Sequence, residues 1–197
     1  RAERSPFAWL AGTNRYLPTD IRLQWITAVA DDFHARYSAT ARHYRYLIRH
    51  RAQPSALWAQ RCHWHKKPLD SLLMHQAAQP LVGEHDFSAF RAAECQSKTP
   101  WRCIHRIDIR ETHGWIAVDI SGNAFLHHMV RNIVGTLLAV GDGRESGDWP
   151  AAVLVARDRK QAGMTAPAQG LYLSGVTYPP AYRLPPTPHA WIPDDFP

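Results

Sequence analysis

No run of the 197 residues stays apolar for the ~20 positions that a membrane-spanning helix needs. The first residues also lack a charged-then-apolar-then-small signal pattern, so the expectation is a cytoplasmic chain. Cysteine is scarce: Cys62, Cys95 and Cys103 make an odd count with no CxxC spacing. That excludes a disulfide framework and a four-cysteine zinc site, and leaves three reduced thiols. Acidic residues are outnumbered, 17 against 23 Lys and Arg, which gives a net charge of +6 with 12 His in reserve. An excess of this sign favours polyanionic partners over acidic proteins or neutral metabolites. No internal repeat is visible.

The 45% apolar content is ample for a packed core. Leu17-Pro18-Thr19-Asp20 reads as a turn, and Ile21 to Ile26 as a strand after it. A second strand runs from Ala41 to Arg49, with Arg42, Tyr44, Tyr46 and Ile48 on one face and His43, Arg45, Leu47 and Arg49 on the other. Asp70 to Ala78 predicts a helix closed by Leu81-Val82-Gly83, and Ser88 to Trp101 a long loop. Alternation from Arg102 to Arg110 and from Trp115 to Ile120 about Thr112-His113-Gly114 predicts a β-hairpin. Leu126, Val130, Ile133, Leu137 and Val140 recur at helical spacing, so a helix is predicted from Asn123 to Val140, ended by Gly141-Asp142-Gly143. A shorter helix follows at Pro150 to Arg157, then a strand at Leu171 to Thr177. The fold class is α+β, a mixed or antiparallel sheet with flanking helices. Residues 1–178 would form one domain, and the proline-rich 179–197 an extended tail.

Two segments concentrate residues able to do chemistry. Asp31 to Tyr46 interleaves arginine with aromatics, which suits single-stranded RNA, where guanidinium groups hold phosphates and rings stack on splayed bases. A strand with cross-strand aromatic pairs would read the same way. On the long helix a second stripe of Ala124, His127, His128, Arg131 and Gly135 lies opposite the apolar one. So apolar a helix would be deeply packed, and an arginine there needs a carboxylate or phosphate partner. His63-Trp64-His65 and His127-His128 hint at a metal hydrolase, but there is no HExxH and no third ligand at fixed spacing, so no metal is expected.

The runs DDFHARYSATARHYRYLI at Asp31 to Ile48, HDFSAFRAAECQSKTPWR at His85 to Arg102, NAFLHHMVRNIVGTLLAVG at Asn123 to Gly141 and GLYLSGVTYP at Gly170 to Pro179 resemble, in order and spacing, the bacterial tRNA pseudouridine synthases of the A type. The resemblance covers nearly the whole chain from about Leu17 onward, and it implies a pseudouridine-synthase-like fold. It also implies isomerisation of uridine to pseudouridine in the anticodon stem-loop of tRNA, by a homodimer without cofactor. By position, Tyr44 resembles the active-site tyrosine packed against the target base, and Arg131 the arginine that pairs with the catalytic aspartate. Leu171 falls in the family's last active-site strand as an apolar wall. Arg36, Arg42, Arg45, Lys98 and Arg102, with His127 and His128, are the candidate tRNA-contacting residues around them.

The family's nucleophilic aspartate belongs to a Gly-Arg-Thr-Asp-Ala-Gly motif that these 197 residues do not contain. By the family's layout it lies upstream of Arg1. The expectation is therefore the C-terminal, larger part of such an enzyme, lacking the N-terminal lobe and inactive alone. The alternative is a non-catalytic tRNA-binding protein or fragment.

Overall fold

The computed structural model describes residues 4–185, which divide into two units, 4–38 with 178–185 and 39–177. The smaller unit carries α1, Pro6–Tyr16, whose first-turn amide on Ala8 is capped by the Ser5 hydroxyl with proline at the first helical position. The sequence reading missed this helix because none of its residues is buried and no apolar period marks it. The strand expected at Ile21 to Ile26 does not form. Leu23 pairs instead with the Asn14 carboxamide, donating to Oδ1 at 2.8 Å and accepting from Nδ2 at 2.9 Å, so its backbone needs no strand partner. Of the expected tail, Pro180–Tyr182 form a 3₁₀ turn, and Tyr178 and Tyr182 pack on the Phe33 ring. Residues 186–197 of that tail lie outside the described residues.

The larger unit is a six-stranded sheet built around β1, Ala41–His50. Along one edge β1 pairs antiparallel with β5, Trp115–Gly122; along the other it meets β6, Leu171–Thr177, antiparallel, and then β2, His63–His65, parallel. Beyond β5 the order continues through β4, Trp101–Thr112, to β3, Gly83–Asp86, an unexpected short strand. The β4–β5 hairpin turns on His113 and Gly114, both at positive φ (49° and 74°), the geometry of a two-residue primed turn. The mixed sheet with flanking helices matches the expected α+β class.

One sheet face is covered by helices. Tyr46, Ile48, Ile107, Ile116, Val118 and Ile120 pack there with Met74 of α2, Ser71–Ala78, Ile133 and Leu137 of α3, Met129–Gly141, and Val153 of α4, Trp149–Ala156. On the opposite face Leu47, Cys62 and Trp115 form a small cluster, bordered by the Arg45–Asp119 ion pair at 2.7 Å. The alternation read along β1 is thus the division between the two faces.

α3 starts at Met129, six residues later than the spacing predicts. Asn123 bonds back to β4, its backbone N–H donating to the Cys103 carbonyl and its Oδ1 accepting from the Cys103 amide. Phe125 is drawn onto Tyr44, and His128 sits at φ 60° immediately before the helix. The stripe drawn from Ala124 to Gly135 therefore splits between a loop and a helix. Gly135 permits a close approach: a Cβ there would lie 1.7 Å from the Met164 carbonyl oxygen. The chain after α4 is thereby laid directly on α3.

His63 and His65 do share a face, with ring centroids 5.8 Å apart. Among the described residues no group of three or more His, Cys, Asp or Glu is placed to hold a metal ion. Burial lowers the pKa of His63 to about 4, with the neighbouring His65 adding to the effect. Burial likewise lowers His65, against the pull of Asp142, which lies 3.5 Å away without hydrogen-bond geometry. Both rings are neutral in the fold and protonate near pH 6.5 once unfolded. The contribution of His63 is complete above about pH 6.5 and is lost as pH falls toward 4, and that of His65 is lost in the same direction. Thermal melts of the chain between pH 7 and 4.5 should show the midpoint falling with pH, and His63→Gln should flatten that slope. An unchanged slope in the variant would contradict the assignment.

Candidate active site

The helix-side face of β1 presents Arg42, Tyr44 and Tyr46 in succession. Tyr44 pairs across to Ile120 of β5 and to Leu173 of β6, beside the register shift at His43. Its ring meets Phe125 edge-on at 5.2 Å. Burial raises the Tyr44 pKa, with Arg42 opposing, so the phenol keeps its proton at neutral pH. Arg42 is anchored beside it, donating from Nη1 to the carbonyls of Ala39 (3.0 Å) and Asn123 (2.7 Å).

Tyr46 is fully buried and donates to the Pro167 carbonyl at 2.7 Å. Burial raises its pKa strongly, with the charge of Arg131 acting in the other direction. Leu171 pairs with Tyr46 across the β1–β6 ladder and is half-buried against the core. Tyr44 and Leu171 therefore lie on the same sheet face as Tyr46, on which the Arg131 charge acts.

Every residue of α3 is buried except Arg131. Its Nε donates to the Ala166 carbonyl at 2.6 Å, while the Ala166 amide donates to the Arg131 carbonyl at 3.1 Å. Among the described residues Arg131 has no carboxylate within ion-pair distance. Its terminal amino groups keep their donor capacity on a helix otherwise buried.

His127 and His128 stack at 4.0 Å between centroids in the turn before α3. His127 is exposed. The His128 pKa is lowered, first by burial and then by the adjacent His127 and Arg131 charges, despite Glu94. The 91–99 loop is tied to this turn: the Ala92 amide donates to the His127 carbonyl, and the His127 amide to Cys95 Sγ at 3.4 Å. Lys98 is exposed on that loop. Arg102 is bound within it, donating to the Thr99 and Trp101 carbonyls and to Ser97 Oγ, so it braces the loop.

One expected contact is not brought to this face. Arg45 lies on the opposite side of β1, 9% exposed, with Nε and Nη2 on the two Asp119 oxygens at 2.7 and 2.9 Å. Arg36 belongs to the smaller unit, where it is exposed and lies over the Tyr37 ring at 5.7 Å. Sequence reasoning also missed Phe125 and the polar group formed by the buried Asn132 and Thr136 with the half-buried Arg159 and Thr165. Phe125 stands inside a quoted motif but off the helical stripe. The four polar residues are brought together only by the return of the chain onto α3.

Among the described residues no helix is long and apolar enough to cross a membrane. A family profile described as tRNA pseudouridine synthase matches residues 77–179. The tRNA pseudouridine synthase A of Salmonella arizonae is 52% identical over 188 residues, covering 95% of this chain and 69% of the relative. That of Aeromonas hydrophila is 51% identical over 199 aligned positions, covering all of this chain and 74% of the relative. That of Escherichia coli O1:K1 is 51% identical over 188 residues, with 95% and 69% covered. With Tyr44 and Leu171 on the sheet face that the helices cover, and relatives of this identity along almost its whole length, the chain belongs to the tRNA pseudouridine synthase family.

Proposed function

We propose that this chain supplies the tyrosine and arginine side of a tRNA pseudouridine synthase that isomerises uridine in the anticodon arm. The observation that carries the reading is Arg131, held at one edge of its guanidinium by Ala166 and free of a carboxylate among the described residues. The reaction breaks the C1′–N1 bond of a nucleotide, forms a C1′–C5 bond, releases the C5 proton and returns a proton to N1. No redox change or hydrolysis is involved, so a carboxylate nucleophile, an aromatic platform and a fixed cation are a sufficient set. Arg131 keeps the carboxylate of the family's Gly-Arg-Thr-Asp-Ala-Gly segment ionised by charge pairing. Tyr44, neutral and packed on Phe125, offers a ring for the extruded base and an O–H that relays a proton. Leu171 closes the apolar side. The same reading carries homodimeric assembly and a cytoplasmic location.

Replacing Tyr44 by Phe in the catalytically complete protein should slow isomerisation by about 10²-fold or more, since the ring remains and only the proton relay is lost. Release of tritium from 5-tritiated uridine in tRNA measures it. Activity within threefold of the parent would remove Tyr44 from the chemistry.

tRNA binding by the chain should weaken steeply with salt, with a log–log slope of about 0.7–0.9 per phosphate neutralised. Lys98→Ala should reduce that slope by about one such increment. Arg45→Ala should leave it unchanged, because that guanidinium is engaged by Asp119 on the other face. Filter binding across a salt series checks both, and salt-independent binding would contradict the proposed interface.

A further inference from the structure

The buried carboxamide of Asn132 has no part in the chemistry above, yet its oxygen is bound by two residues of the segment that holds Arg131. Asn132 is 1% exposed. Its Nδ2 donates to the Phe90 carbonyl at 2.7 Å, and its Oδ1 accepts from Thr165 Oγ1 at 2.6 Å and from Arg159 Nη2 at 3.1 Å. Arg159 in turn donates to Thr165 Oγ1 and to the Ala162 carbonyl. One turn along α3, Thr136 donates to the Asn132 carbonyl at 2.9 Å and accepts from the Gly163 amide at 3.0 Å. The 159–166 segment is thus fixed to α3 by side chains at two successive turns. The next residue after Thr165 supplies the carbonyl that accepts from Arg131 Nε, and the one after that the carbonyl that accepts from Tyr46.

A buried amide costs free energy unless its groups are paired, and here the Oδ1 pairing is supplied by the 159–166 segment that also holds Arg131. We propose that Asn132 is a positioning residue: through Thr165 it fixes the Ala166 carbonyl and so sets the direction in which the Arg131 guanidinium faces the reacting centre. The inference rests on the catalytic reading of Arg131. A guanidinium is a directional fork, so a small displacement of the carbonyl behind it misaligns the donors in front.

The test is a double-substitution cycle in the catalytically complete protein, read as kcat and KM for tRNA by tritium release. Thr165→Val removes the hydroxyl at nearly constant volume and should lower kcat about 10-fold to 100-fold, with KM changed less than threefold. Thr165→Ser, which keeps the hydroxyl, should restore kcat. Asn132→Ala should match or exceed the valine effect, with a thermal melt showing that the variant is folded. In an Arg131→Ala background, Thr165→Val should cause no further fall in kcat, because the group it positions is gone. Equal losses in both backgrounds, or a serine variant as impaired as the valine one, would overturn the positioning role. If Arg131→Ala alone retained parental kcat, the catalytic reading of Arg131 would fail instead, a distinct outcome.

Discussion

Replacing Arg131 by alanine in the catalytically complete protein is expected to slow uridine isomerisation by about 10²–10³-fold. The side chain adds little to the fold: it makes one hydrogen bond, to Ala166, and it alone on α3 is not buried. Its removal therefore takes away a cation and leaves the packing of Ile133, Val134 and Leu137 untouched. A carboxylate that loses an opposite charge at close range has its pKa raised, so the acid limb of the rate profile should also move to higher pH. Arg131→Lys should recover only part of the rate, because a point charge on a flexible stem cannot hold the Ala166 carbonyl and a carboxylate at once. Single-turnover tritium release across pH 5–8 measures both effects. A variant with parental rate and an unmoved acid limb would contradict the pairing role.

The parts of this site that were legible in the sequence are those encoded by local periodicity. Along β1, alternation puts Tyr44, Tyr46 and Ile48 on one face and Arg45 and Leu47 on the other, and the structure packs Tyr44, Tyr46 and Ile48 with one apolar cluster and Leu47 in another accordingly. That alternation already separated Arg45 from Tyr44. What could not be read was the partner, since Asp119 lies 74 residues away and is set opposite Arg45 by the β1–β5 register. The start of α3 was read too early for a similar reason. Leu126 continues the helical period, but Asn123 and Phe125 are claimed by Cys103 and Tyr44, contacts outside any local window. α1 shows the converse case: its Ser-Pro cap is present in the sequence, but with no buried face there is no periodicity to reveal it. Asn132 looks like a polar interruption in an apolar helix until Phe90, Arg159 and Thr165 are brought to it.

The largest effect expected concerns the 197 residues themselves, which should isomerise no uridine above background. None of their 17 acidic residues stands in a Gly-Arg-Thr-Asp-Ala-Gly setting. Asp31 and Asp32 are exposed in the smaller unit. On the larger unit Asp119 is committed to Arg45 and Arg110, and Asp142 to Arg144. Affinity for tRNA cannot substitute for a nucleophilic carboxylate, because ground-state binding does not lower the barrier to breaking the glycosidic bond. The chain should nevertheless bind tRNA, so binding and turnover should separate cleanly. The most direct measurement is tritium release from 5-tritiated uridine in tRNA, run side by side on the 197 residues alone and on the same residues preceded by the N-terminal lobe that carries the family's Gly-Arg-Thr-Asp-Ala-Gly segment. The account predicts no release above background from the first and multiple turnovers from the second. Turnover by the 197 residues alone would show that the catalytic acid lies among them, and would contradict the division of roles between Tyr44, Arg131 and an aspartate they do not contain.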